Sequence, residues 1–134
     1  MAVGDFNGDG QLDLVTDNGT DNSVSVFMGT GDGTFGAAQT YAVGGTAKSI
    51  AVADFNKDGK LDIVTTGGEM DVLLNSGAGT FGTAQQVGPA GRDVVVADVN
   101  GDGFADLAQI DATGTSIDVL LNKADSSSGS KGHK

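Results

Sequence analysis

Apolar and polar residues alternate along this chain in short runs. Ser49-Ile50-Ala51-Val52-Ala53 and Asp93-Val94-Val95-Val96-Ala97 lead into clusters of Asp, Asn and Gly. Leu61 to Thr66 and Ala105 to Ile110 leave those clusters. Ser23 to Phe27, Met70 to Leu74 and Ile117 to Leu121 come next. A further run follows a glycine turn, at Gln39 to Val43 and again at Thr83 to Val87. Runs this short, rich in β-branched residues and bounded by turn formers, predict strands. No segment of about ten residues joins helical periodicity to caps, so the pattern predicts an all-β chain. A short strand fits before Asp5, which brings the expected count to eleven: four, four and three.

The strands recur because the sequence does. Val3 to Val15, Val52 to Val64 and Val96 to Ala108 align, with first aspartates 49 and then 44 residues apart. That period suits propeller blades of four antiparallel strands. The blades are expected at about 1–45, 46–90 and 91–122. Residues 123–134 are Ser/Gly-rich and poor in apolar side chains, which predicts a flexible tail or linker.

Composition narrows the chemistry. At 134 residues, the chain is one ordinary domain or a piece of a larger one. Its formal net charge of −11 makes nucleic-acid phosphate a poor partner. It has no cysteine, which excludes disulfides, thiolate metal sites and cysteine nucleophiles. The single histidine, His133, argues against a histidine-based triad. No apolar run approaches the roughly 20 residues of a membrane span, and no signal peptide opens the chain. Seventeen of the eighteen acids are aspartate and only Glu69 is glutamate, a bias toward turns and compact oxygen ligands rather than helix surfaces.

Those aspartates recur in register. Side-chain oxygens fall at Asp5, Asn7, Asp9 and Asp13; at Asp54, Asn56, Asp58 and Asp62; and at Asp98, Asn100, Asp102 and Asp106. The intervening Gln11, Lys60 and Phe104 share no side-chain chemistry, as expected where only the main-chain carbonyl is used. Gly10, Gly59 and Gly103 stand where the chain must turn around an ion. An all-oxygen donor set in a flexible loop favours Ca²⁺ over Mg²⁺, zinc or copper. The loops are not EF-hands: the twelfth position holds Thr16, Thr65 or Gln109, not glutamate. A single copy could be an ordinary polar turn, but three copies in register point to three calcium sites.

Other motifs carry less. Gly31 to Gly36 and Gly77 to Gly82 fit G-x-G-x-x-G, but strands rather than helices follow them. They are expected to be hairpin turns, with Phe35 and Phe81 as core anchors between sheets. Gly44 to Ser49 resembles the end of a P-loop, but Ala47 replaces the glycine before lysine. Asn18-Gly19-Thr20 is a glycosylation sequon, and Arg92, the only arginine, is expected to be structural.

The order D-F-N-G-D-G-x-x-D-L, strand pair, G-x-G-T-F-G resembles the FG-GAP/VCBS repeat family across residues 2 to 122. The resemblance implies β-propeller blades with Ca²⁺ in the loop between first and second strands. The ligands it implies are the oxygens above, with carbonyls from Gln11, Lys60 and Phe104. It also implies an extracellular or cell-surface setting and a non-catalytic role in recognition or adhesion. Related propellers include lectins with sugar sites between blades, so a glycan-binding module is the alternative. One Tyr and no Trp argue against a sugar platform. A glycosidase or lyase using paired carboxylates is the weakest reading, because the loops already account for nine aspartates. Family propellers usually close with about six to eight blades. The chain therefore reads as a fragment, or as an engineered or selected short chain, that closes its ring with copies of itself. A homodimer of six blades is expected, with a trimer as the alternative and an unidentified protein or glycan as ligand.

Overall fold

The computed structural model describes residues 1–122; the predicted tail at 123–134 lies outside them. Among the described residues, eleven strands form three antiparallel sheets. The first sheet runs β1 (Ala2–Gly4), β2 (Asp13–Asp17), β3 (Ser23–Phe27), β4 (Gln39–Ala42), in chain order. The second runs β5 (Ala47–Ala53), β6 (Asp62–Gly67), β7 (Met70–Leu73), β8 (Gln85–Gly88). The third holds β9 (Gly91–Ala97), β10 (Asp106–Asp111) and β11 (Ile117–Leu120), with β10 central. Each is a meander of neighbouring strands, as the repeat predicted. The only helical element among the described residues is a 3-10 turn at Gly19–Asp21.

The alternation of side chains decides how the sheets stack. In the middle sheet, Ile63 pairs with Leu73, and both join a core with Phe6, Val15, Val24 and Val26 of the first sheet. The next residues along, Val64 and Val72, pair on the opposite face and join Val94 and Leu107 of the third sheet. Every residue of β6 is therefore buried. The first strands of successive sheets lie side by side, β1 against β5 and β5 against β9, which gives the array its propeller-like arrangement.

A buried carboxylate ties each sheet to its own loop. Asp13, Asp62 and Asp106 are fully buried. One oxygen of each accepts the N–H of Phe6, Phe55 or Val99, at 2.8, 3.0 and 3.0 Å. The other accepts the N–H just beyond the third strand, from Gly29, Asn75 or Asn122, at 2.7, 2.9 and 2.8 Å. Two of those residues then join the sheets together. Asn75 donates its amide to Phe6 O at 2.7 Å, and Asn122 donates to Phe55 O at 2.6 Å.

The fourth strand of the second sheet starts at Gln85 instead of Thr83. Phe81 first makes an isolated bridge to Asn75, so the chain rejoins β7 only afterwards. Phe81 is buried, as expected, with its ring edge-on to Phe6 at 5.6 Å and Tyr41 at 5.5 Å. Phe35 corrects the expectation of a second core anchor, because it is 42% exposed. A hairpin phenylalanine packs against the preceding sheet, and no described sheet precedes the first.

Asp62→Ala should destabilise the fold by about 2 kcal/mol or more, because it strands the N–H groups of Phe55 and Asn75. Asp58→Ala, at an exposed position of the same loop, should cost about 1 kcal/mol or less. Urea unfolding of both variants in EGTA checks the difference.

Candidate metal centre

Each acidic loop joins the first and second strands of its sheet, so the sheet pins both ends. Within the loop, the first aspartate gathers main-chain N–H groups. Asp5 accepts from Gly8 and Gly10, both at 2.8 Å. Asp54 accepts from Gly59 at 2.7 Å and Asp58 at 3.1 Å. Asp98 accepts from Gly101 and Gly103, both at 2.8 Å. This wrapping requires left-handed backbone at Gly10, Gly59 and Gly103, with φ of +84°, +85° and +88°. Lys57 adopts φ +58° where the other loops have Gly8 and Gly101. Its ammonium lies 4.7 Å from the centre of the Phe104 ring, so the second loop touches the third.

Counting Asp5, Asp54 and Asp98 as first, the fifth loop position is occupied by Asp9, Asp58 and Asp102. These carboxylates accept the N–H of Gln11, Lys60 and Phe104 at 2.8, 2.9 and 2.9 Å. One terminal atom of the Asn56 amide faces the same acids, 3.1 Å from Asp54 Oδ1 and 2.9 Å from Asp58 Oδ1. The buried ninth-position aspartate closes the cluster from below. In two loops, Asp54 with Asp58 and Asp62, and Asp98 with Asp102 and Asp106, three carboxylate oxygens lie within 4.8 Å of one another. Asp5, Asp9 and Asp13 are not gathered that closely.

The electrostatics separate the rim from the floor. The N–H of Gly10 holds the Asp5 carboxyl below its ordinary range, and that of Gly103 does the same for Asp98. The Lys60 N–H lowers Asp58. Burial pushes Asp62 upward, and the charges of Asp58 and Asp54 add to the effect against the N–H groups of Asn75 and Phe55. Converging oxygens around a buried carboxylate suit a hard divalent cation, whose charge would reverse that cost. The donors are carboxylates and amides throughout. Nothing in the cluster offers the nitrogen or sulfur that zinc or copper would favour.

The remaining sequence motifs resolve as structural features. Gly31 and Gly33, both at φ +93°, form a hairpin in which Asp32 accepts the Thr30 and Thr34 hydroxyls at 2.6 Å. Those bonds lower the Asp32 carboxyl to about 2. Arg92 donates from Nε to Ala112 O at 3.0 Å, consistent with a structural role. At the sequon, Asn18 Nδ2 donates to Ser23 and Ser25 at 2.9 Å each, so the nitrogen a glycan would need is engaged. Sequence reasoning missed the sheet-joining role of Asn75 and Asn122. It also missed Gln109, a buried residue that accepts from Thr66 of the second sheet and donates to Pro89 O at 3.1 Å. The shared Asp-Val-Leu-Leu-Asn at 71–75 and 118–122 was a visible signal for the first pair; Gln109 had none.

Comparisons with known proteins agree with this architecture. The family profile described as FG-GAP-like repeat matches residues 5–65, and that described as FG-GAP repeat matches residues 47–86. No curated protein matches the chain. Among solved structures, the chain is similar to an Agrocybe aegerita lectin described as specifically recognising non-reducing terminal N-acetylglucosamine. The two share 29% identity at a TM-score of 0.62, over 92% of this chain and 35% of that one. The chain thus spans about a third of the lectin's length. The three meander sheets, the repeated acidic loops and the two profiles running together from residue 5 to residue 86 place this chain in the FG-GAP repeat family.

Proposed function

We propose that this chain is a non-catalytic recognition module whose propeller blades are stabilised by calcium in an extracellular setting. The observation that carries the reading is the convergence of carboxylates at 54, 58 and 62 and at 98, 102 and 106. Asn56 and Asn100, and the main-chain oxygens of Gln11, Lys60 and Phe104, complete the donor sets, and Asp5, Asn7, Asp9 and Asp13 form the third site. Calcium supplies charge neutralisation there. The chain's own residues orient the oxygens and hold the loop to its sheet. Three divalent cations would bring the net charge from −11 to −5 and relieve repulsion within each loop. The family resemblance supports the extracellular setting, and no described helix is long and apolar enough to cross a membrane.

Copies of the chain close the ring in this reading. Its two outer faces are apolar: Val3, Leu12 and Phe35 on the first sheet, and Val95, Ile117 and Val119 on the third, all exposed. These are the two halves of the interface that the sheets already use within the chain. At the position of Asn75 and Asn122 the first sheet carries Gly29, so a junction between copies lacks the amide bond and weakens on dilution.

A carbohydrate-binding role is the second reading, favoured by the similarity to the N-acetylglucosamine lectin. A glycan array should then retain the protein on glycans ending in N-acetylglucosamine; binding to none of them removes this reading and leaves the first.

Calorimetry should show a higher melting temperature in excess Ca²⁺ than in EGTA, and titration should approach three ions per chain. An unchanged melting temperature with no heat of binding would overturn the calcium reading. Light scattering in Ca²⁺ should give a mass two or three times the 13.3 kDa of one chain. A monomer at every concentration would remove ring closure by copies.

A further inference from the structure

We infer that the three acidic loops are coupled in series, with Asn75 and Asn122 as the positioning residues that carry the coupling. An ion held by the middle loop then strengthens binding in the loops on either side, a consequence that rests on calcium occupying them. One unbroken line of hydrogen bonds runs through the chain. Asp13 accepts the Phe6 N–H at 2.8 Å, and the Phe6 carbonyl accepts the Asn75 side-chain amide at 2.7 Å. The main-chain N–H of Asn75 goes to Asp62 at 2.9 Å, whose other oxygen accepts the Phe55 N–H at 3.0 Å. The Phe55 carbonyl accepts the Asn122 side-chain amide at 2.6 Å, and the main-chain N–H of Asn122 ends on Asp106 at 2.8 Å. Two loop phenylalanines and two asparagines thus join the three buried carboxylates one after another.

The line passes through the candidate ligand sets themselves. Phe6 lies between Asp5 and Asn7, and Phe55 between Asp54 and Asn56. Asn75 is buried, and both its amide hydrogens and its oxygen are engaged. Besides Phe6 O, it donates to Leu61 O at 3.1 Å, and its Oδ1 accepts the Gly77 N–H at 2.9 Å. Leu61 directly precedes Asp62, so one side chain grips the entry of the first loop and the exit of the second. An amide held at three points cannot follow one loop outward without losing its bond to the other. Two contacts run in parallel with the line. A Cβ added at Gly79 would lie 3.4 Å from Asn7 Cβ, so the second hairpin rests on the first loop. Lys57 of the second loop covers the Phe104 ring of the third.

Each loop has a closed state, with its phenylalanine N–H on the buried carboxylate, and an open one. Opening the second loop takes the Phe55 N–H from Asp62 and the Phe55 carbonyl from Asn122. Polar groups left unpaired in a partly buried site are costly, and bonds in a line strengthen one another. The neighbours of an open loop are therefore less firmly closed. A ligand shifts a neighbouring site only by favouring one of its states, and this line gives that preference a physical route. Charge acts in the opposite direction. Three carboxylates and a divalent cation in the second loop carry −1, whereas the ion-free loop lacking Asp58 carries −2 from Asp54 and Asp62. Electrostatics alone would then tighten calcium in the adjoining loops, while lost order weakens it. The first and third loops share no hydrogen bond among the described residues, so they communicate through the second.

The test is a Ca²⁺ titration of the isotope-labelled full chain, followed by the amide resonances of Gly10, Gly59 and Gly103, which bond to the first aspartate of each loop. Asp58→Ala removes a ligand from the second loop and should weaken calcium about threefold to tenfold at Gly10 and at Gly103. Adding Asn75→Ala should abolish that effect at Gly10 and leave it at Gly103; adding Asn122→Ala should do the reverse. If Asp58→Ala leaves the outer loops unchanged or tightens them, the coupling is overturned. Asparagine variants that weaken all three loops alike overturn it too, because that is lost stability. If calcium moves none of these resonances in the parent chain, the calcium reading itself fails, and hydrogen exchange in EGTA decides whether the loops are coupled. There, Asn75→Ala should speed exchange at Phe6 and Asn122→Ala at Phe55, each about threefold to tenfold, with Val99 unaffected. No acceleration, or the same acceleration at all three amides, overturns the coupling.

Discussion

A charge buried at the start of each second strand organises this protein. Asp13, Asp62 and Asp106 would be costly placed alone in an apolar stack, and they persist because two main-chain N–H groups meet each one. One N–H comes from the acidic loop and the other from the end of the third strand. The same carboxylate therefore fixes the loop's shape, ties it to the sheet and forms the floor of the acidic cluster. Structure and candidate ligand set cannot be separated at this residue.

The sheets are joined by two devices that the repeat supplies unevenly. The amide of Asn75 or Asn122 reaches back to a carbonyl of the preceding sheet, and the ring of Phe81 fills the space beside it. The junction of first and second sheets has both. That of second and third has the amide but a cavity where the ring would be. The first sheet presents Gly29 and the exposed Phe35 toward a neighbour not present among the described residues. The stack thus grades from complete to incomplete along the chain, and its exposed apolar surface lies at the two ends, where recognition of other chains is to be sought.

Much of this was legible in the residues. Three aligned aspartate loops and alternating apolar positions predicted eleven strands in groups of four, four and three, because local turn chemistry and side-chain alternation decide strand limits. The glycines at 10, 59 and 103 were read as sharp turns, and their left-handed backbone agrees. Phe35 and Phe81 share the motif G-T-F-G, yet one is exposed and the other buried. Burial is a property of the neighbour, and the neighbour of Phe35 is not specified by its own motif.

The sequence by itself determined the period, the turns and the clustering of acids in the loops, all of which depend on residues within a few positions of one another. Tertiary structure alone decided that Asn75 bonds to a carbonyl 69 positions away, that Gln109 meets Thr66 across two sheets, and that Val87 edges a cavity where Tyr41 meets a ring. The physical reason is common to all three. Each depends on the packing of one sheet against the next, and identical repeats acquire different roles when their positions in the stack differ.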